Sequence, residues 1–184
     1  MKYLIVSVLI LLAASCAPKD RGVWPEDEGL ASKYRHLEER RKPDNAVDRI
    51  AIGKTGTAFY YDRRLWNVKS EDGSSIDFNT RRFTTAGILH YDEPIALTQI
   101  YTRLVESYGL KDAQLTESEL VKVNGQVVIF NRIEGKHGRK HVVILSYGYS
   151  DKRHTVITHA NIYKSMLRPE TEAEIVDFLN GFAG

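Results

Sequence analysis

Asn124-Gly125 stands between two runs rich in apolar and β-branched residues, 120–123 and 126–133. Asn and Gly tolerate the left-handed backbone required at both central positions of a two-residue hairpin turn, so the two runs pair antiparallel. Side chains alternate across a strand, and the turn therefore also fixes which residues of each run share a face. A hairpin of this kind needs further strands or a helix to bury its apolar face, and the rest of the sequence supplies both.

Short β-like runs begin near residue 50. Residues 50–52 and 57–61 are β-branched and aromatic, with the turn sequence Gly53-Lys54-Thr55-Gly56 between them. Leu65, Trp66 and Val68 predict another strand, ended by Glu71-Asp72-Gly73-Ser74-Ser75, and Ile76 and Phe78 open its partner. Residues 83–91 follow as the next strand. The period then changes: Ile95, Leu97, Ile100, Tyr101, Leu104, Val105 and Tyr108 recur at three- and four-residue steps, which predicts an amphipathic helix over 94–108. Pro94 suits its first turn and Gly109 its end. Beyond the Asn124-Gly125 hairpin, Gly135-Lys136-His137-Gly138 turns into a strand over 141–149, and Ser150-Asp151-Lys152-Arg153 into one over 155–163. Residues 169–182 predict a closing helix, with Glu170, Glu172 and Glu174 near the positive end of its dipole and Gly181 weakening its last turn. Antiparallel strands interrupted by two principal helices define an α+β fold, a twisted antiparallel sheet covered by those helices.

The N-terminus carries a different kind of signal. Met1 and Lys2 precede an apolar run from Tyr3 to Ala14, followed by Ser15 and Cys16. A positive end, an apolar centre and small residues are the parts of an export signal, and the run is shorter than the roughly 20 residues needed to span a bilayer. Leu12-Ala13-Ala14-Ser15-Cys16 resembles a bacterial lipobox, in which the signal is removed and the new N-terminal cysteine is acylated; it departs from the commonest pattern in having Ala13 where Leu is usual. An ordinary secretory signal with an incidental cysteine is the rival reading. Each buried methylene of an acyl chain adds about 0.8 kcal/mol to membrane partitioning, so two or three chains on Cys16 hold the protein as an anchor. By the same resemblance, Ala17 after the cysteine implies the outer membrane, facing the periplasm, if the cell is Gram-negative.

Cys16 is the single cysteine, which excludes an internal disulfide and a Cys-rich zinc site. From Ala17 to Arg49 charged residues and Pro18, Pro25 and Pro43 dominate, and so little apolar surface cannot offset the entropy of ordering. The expected organisation is a signal peptide over 1–15, a lipidated cysteine and flexible charged tether over 16–49, and a globular α+β domain over 50–184. Within the tether, residues 30–41 have the spacing of a short helix, and Arg40-Arg41-Lys42 reads as a solvated charge run or a contact for anionic lipid. Removing residues 1–15 deletes one of 26 basic side chains and none of 24 acidic ones, so the charge balance gives no push toward nucleic acid.

Candidate chemical motifs weigh less. Gly53-Lys54-Thr55 lacks both the earlier glycine of a phosphate-binding loop, Asp48 standing there, and the helix that must follow. Ser146-Tyr147-Gly148 has Ile144 where a nucleophile elbow needs glycine, and the serine falls within a predicted strand, as a strand-surface residue. His137 and His141 lie on a hairpin beside Arg139 and Lys140, which oppose a dication; His154 or His159 completes a metal site only if the register brings it near. Asp92-Glu93 and Glu71-Asp72 suit turns and helix starts, because acid/base work needs opposed environments at one cleft. The aromatic residues Phe59, Tyr60, Tyr61, Trp66, Tyr91, Tyr147, Tyr149 and Tyr163 alternate with polar ones and either cover the sheet or face a partner.

The order of elements over about 50–182 resembles the PsbP/Mog1-like α/β/α sandwich family, which includes many bacterial lipoproteins. The likeness rests on the aromatic strand Phe59-Tyr60-Tyr61, the Leu65-Trp66-Val68 strand, the helix through Ile100 to Tyr108, the hairpin Val123-Asn124-Gly125-Gln126-Val127, the strand with Tyr147-Gly148-Tyr149 and the ending Phe178-Leu179-Asn180-Gly181-Phe182. It implies a non-enzymatic binding or assembly role, as accessory subunits have, and carries over no functional residue. The expectation is therefore a lipid-anchored cell-envelope protein that binds another envelope protein as an accessory factor. Cys16 is its one assigned site, and no cofactor, catalytic or metal-binding residue is assigned. An envelope hydrolase or metal-dependent enzyme and a small-ligand carrier are the alternatives.

Overall fold

A computed structural model describes residue 37, residues 39–80 and residues 85–184. The export signal, Cys16 and most of the tether lie outside the described residues. In chain order the elements are β1 (Glu39–Arg40), β2 (Asp48–Ala51), β3 (Ala58–Tyr61), β4 (Trp66–Glu71), β5 (Ser75–Thr80), β6 (Thr85–Tyr91), α1 (Ile100–Tyr108), β7 (Lys111–Val123), β8 (Gln126–His137), β9 (Lys140–Ser150), β10 (Thr155–Tyr163), α2 (Pro169–Leu179) and β11 (Phe182–Ala183).

One sheet has the order β1-β7-β8-β9-β10-β6-β5-β4 and a second, smaller one the order β11-β3-β2. All pairings are antiparallel except β1 with β7, which is parallel. Over residues 142–148 of β9 and 155–160 of β10 both faces are buried, and the apolar side chains there are interrupted by Ser146, Thr155, Thr158 and His159. Alternate residues divide between two cores. Val142, Ile144 and Ile157 pack with Ile100 and Leu104 of α1, whereas Val143, Leu145, Tyr147 and Val156 pack with Ile175, Phe178 and Leu179 of α2. The helices thus cover opposite faces, and the second sheet shares the α2 face through Ile52, Phe59 and Phe182.

The local signals explain most boundaries. Asn124 and Gly125 have φ of 47° and 87°, the left-handed pair that the hairpin demands. Gly109 closes α1 at φ 56°, and Pro169 opens α2. The turn at Asp72 works differently from the tight Asp-Gly type. The Asp72 carboxylate accepts from the backbone N–H groups of Ser74 and Ser75, both at 2.7 Å, while Asp72 N–H donates to the Ser75 carbonyl at 2.9 Å.

Several expectations change. The first helix is shorter than 94–108, because residues 97–99 form a single 3-10 turn before Ile100. The last helix stops at Leu179 instead of running to Phe182, since Gly181 presses its backbone on Tyr60 and Phe182 then pairs with Phe59 in the second sheet. Strand β7 reaches back to Lys111, and β8 runs through His137 to turn at Gly138. Within the helix expected over 30–41, Glu39 and Arg40 are strand and pair with Lys122 and Val123. Arg40 is held there by Tyr147 Oη at 3.0 Å and the Glu119 carboxylate at 2.8 Å. Residues 39–49 therefore belong to the folded unit, ahead of residue 50. Arg41 stays exposed, and Lys42 donates to the Ala46 carbonyl at 3.2 Å.

Candidate functional site

An apolar concavity lies where the β3–β4 connection meets α2. After Tyr60 and Tyr61 the chain turns at Asp62, whose carbonyl accepts from Leu65 and Trp66 N–H at 3.0 and 2.9 Å. The Asp62 carboxylate grips Arg64 through its backbone N–H at 2.9 Å, Nε at 2.9 Å and a terminal nitrogen at 2.6 Å, with Asn45 Nδ2 at 3.2 Å. Those donors hold its pKa near 2, so the turn is locked around an ionised carboxylate. Trp66, placed by this turn, stacks on Phe178 of α2 with ring centroids 3.9 Å apart. The result is a cleft of about 330 Å³, floored by Trp66 and Phe178, walled by Tyr60, Tyr61 and Leu65. Glu170, Glu174 and Asp177 line its other side from one face of α2. Lys42 places its ammonium 5.3 Å from the Tyr60 ring centroid.

A second, polar cleft of about 450 Å³ opens between the Lys54-Thr55 loop and the β9–β10 turn. His154 Nδ1 lies 3.1 Å from Asp151 Oδ2, and His90 Nε2 lies 3.3 Å from Asp92 Oδ1 without the angle of a hydrogen bond. The two rings are 6.4 Å apart. Lys54, Lys152 and Arg153 meet Asp92 and Asp151 in the same lining, so this cleft presents neither sign of charge consistently.

Beneath the α1 face, a polar row crosses the centre of the large sheet. Asn131 pairs with Ser146 in register, and Ser146 with His159. All three are buried, and Asn131 Nδ2, Ser146 Oγ and His159 Nε2 each lack a hydrogen-bond partner. His159 Nδ1 is 2.6 Å from Tyr108 Oη. Burial pushes the Tyr108 hydroxyl well above its ordinary range and lowers His159 to about 4, so the tyrosine keeps its proton and donates it to a neutral imidazole. The remaining proton then sits on Nε2, above Gly87, where any Cβ would fall 3.0 Å from that nitrogen.

The residues weighed from sequence scatter. His137 and His141 are exposed at one end of β8 and β9, with His137 Nδ1 2.9 Å from the Tyr108 carbonyl. His154 lies beyond the opposite end of β9, and His159 lies on the α1 face, so the register does not gather them. Among the described residues no group of three or more His, Cys, Asp or Glu is placed to hold a metal ion. Gly53-Lys54-Thr55 is a turn into strand β3, with Thr55 Oγ1 donating to the Ile52 carbonyl at 2.6 Å. Ser146 lies inside β9 as expected, but buried, not on the surface. Cys16 lies outside the described residues. Sequence reasoning missed the cleft, because Trp66 and Phe178 meet only in the fold. Its one local trace is the spacing of Glu170, Glu174 and Asp177 beside an aromatic residue.

No family model matches the chain, and no curated protein matches it. Solved structures do. The solution structure of cyanobacterial PsbP (CyanoP) from Synechocystis sp. PCC 6803 is similar with a TM-score of 0.51 at 15% identity, over 77% of this chain and 94% of that one. A crystal structure from Bacteroides thetaiotaomicron VPI-5482 is similar with a TM-score of 0.49 at 8% identity, over 74% of this chain; the chain spans about half, 47%, of that protein's length. The fold is PsbP-like: a mixed sheet with two helices, in the α+β class that the sequence predicts.

Proposed function

We propose that this is a lipid-anchored bacterial cell-envelope protein that binds another envelope protein as an accessory or assembly factor, with the cleft between β4 and α2 as its docking point. The observation that carries the binding role is that cleft, an aromatic concavity opened by a locked turn and edged by carboxylates. Sites of this size with an apolar floor and a few placed polar groups are the usual form of a recognition pocket. The anchor rests on Leu12-Ala13-Ala14-Ser15-Cys16, and the segment between Cys16 and β1 gives reach, since each extended residue spans about 3.3 Å.

Leu65 is 38% exposed at the cleft wall, which makes it the position for a test. A benzophenone side chain placed there and irradiated in intact cells is expected to cross-link one discrete envelope protein. No adduct from Leu65, alongside normal folding of the variant, contradicts the docking role. The same cleft also admits a small apolar ligand; native mass spectrometry of purified protein separates that carrier reading, which requires a co-purifying molecule.

A further inference from the structure

The chain holds two Asn-Gly pairs, Asn124-Gly125 at the tip of the β7–β8 hairpin and Asn180-Gly181 between α2 and β11, and the fold joins one to the other. Asn124 Nδ2 donates to the Asn180 carbonyl at 2.8 Å, the carbonyl of the second pair's own peptide bond, and to the Phe182 carbonyl at 2.6 Å. We propose that the two pairs are linked deamidation sites, shielded while they are joined and reactive once β11 leaves the hairpin, so that unfolding becomes irreversible with time.

An asparagine followed by glycine is the pair most open to this reaction, because no Cβ shields the following nitrogen. That nitrogen bonds to the asparagine Cγ as the Cγ–Nδ2 bond breaks, and its proton leaves with the departing nitrogen as ammonia. Water then opens the five-membered imide at either carbonyl, giving aspartate or isoaspartate. Closing the ring requires the side-chain amide to swing onto the following nitrogen, and the fold holds both amides elsewhere. Asn124 would abandon its two carbonyls and the Lys42 N–H that its Oδ1 accepts at 3.0 Å. Asn180 is buried, and its Oδ1 accepts from Tyr147 Oη at 2.9 Å, which in turn accepts from Arg40 at 3.0 Å. The attacking nitrogen of the second pair is occupied as well, since Gly181 N–H donates to the Phe178 carbonyl at 2.9 Å. The products account for the irreversibility. Aspartate at 124 offers the two carbonyls no donor, and isoaspartate adds a methylene to the backbone of a two-residue turn whose φ angles of 47° and 87° suit the hairpin.

The full-length protein in non-ionic detergent, incubated warm at mildly alkaline pH either folded or in urea, forms the test. Mass spectrometry of the peptides bearing residues 124 and 180 follows the exchange of amide for acid. Both pairs are expected to convert at least about tenfold faster in urea, because opening precedes reaction, and the fraction that refolds on removing urea is expected to fall in step with conversion. Asn124→Gly keeps the turn and removes the link, and is expected to speed Asn180 by about tenfold without urea. Tyr147→Phe removes the bond to the Asn180 amide, leaves those of Asn124, and is expected to speed Asn180 alone. Equal rates in folded and unfolded protein, full refolding of converted chains, or an Asn180 rate unmoved by Asn124→Gly overturns the proposal. So does a Tyr147→Phe protein in which Asn180 stays as slow as before or both pairs quicken alike.

Discussion

Asn124 donates from its side-chain amide to the Phe182 carbonyl at 2.6 Å. The same amide nitrogen donates to the Asn180 carbonyl at 2.8 Å, and Asn124 Oδ1 accepts from Lys42 N–H at 3.0 Å. One turn residue therefore ties the segment after β1, the β7–β8 hairpin and the C-terminal strand. Gly tolerates the left-handed conformation equally well, so Asn124→Gly keeps the turn and removes only the three bonds, at about 0.5–1.5 kcal/mol each. The expected loss is about 2–3 kcal/mol in urea unfolding. Asn124→Asp keeps the acceptor for Lys42 but faces a carboxylate oxygen to two carbonyls, and is expected to cost more than the glycine.

Gly181 has a simpler constraint. A Cβ there falls 1.9 Å from the Tyr60 carbonyl oxygen, a backbone atom that cannot swing aside, and Tyr60 N–H already donates to the Gly181 carbonyl at 2.8 Å. Gly181→Ala is expected to part β11 from β3 and destabilise by more than about 2 kcal/mol. The same shift moves Tyr60, so Trp66 fluorescence also changes. Wild-type unfolding and fluorescence in this variant contradict the close approach.

Gly148 and Ile100 form a coupled pair. A Cβ on Gly148 meets Ile100 Cδ1 at 2.1 Å, and Ile100, the first residue of α1, is fully buried between that helix and the sheet. Gly148→Ala alone is expected to lift α1, and Ile100→Ala alone to leave a cavity costing about 2–5 kcal/mol. Together they relieve each other, and the double variant is expected to be at least about 1 kcal/mol more stable than the sum predicts. Simple additivity in a double-mutant cycle refutes this packing.

His159 gives the fold an acid sensitivity. Its pKa falls from 6.5 unfolded to about 4 folded, through burial, with Asp77 opposing weakly and Tyr108 bonded to the ring. Below pH 6.5 the unfolded chain takes up a proton that the folded chain refuses, so stability is full above that pH and declines as pH drops toward 4. This group alone accounts for a loss of about 3 kcal/mol across the window. His159→Phe is expected to flatten the stability profile between pH 6.5 and 4 relative to wild type, and parallel profiles contradict the assignment. Asp62, held near 2 mainly by Arg64, acts in a separate window: its contribution is present above about 4 and lost as pH falls toward 2.

Turn chemistry made much of this fold legible. Asn124-Gly125, Gly109 and Pro169 each require a conformation that few other residues meet, and each marks an element end where predicted. The two-residue period of β9 and β10 is harder to read, because both faces are buried and apolar residues fall on each. Residues 39–49 read as tether because Arg40 is charged; only Tyr147 and Glu119, distant in sequence, explain its seat. Likewise Gly181 looked like a weak helix turn, and the carbonyl it presses against lies on β3. The cleft was invisible for the same reason: Asp62, Trp66 and Phe178 carry no local pattern that signals their meeting. Cys16 is the opposite case: its proposed acylation rests wholly on local sequence.

Intact mass and membrane fractionation of the native protein beside Cys16→Ser test the central claim most directly. The account predicts a wild type that lacks residues 1–15, carries the added mass of acyl chains on Cys16 and sediments with membranes, while the serine variant is unacylated and leaves them. A wild type with an unmodified Cys16, recovered in the soluble fraction, contradicts the anchored accessory factor.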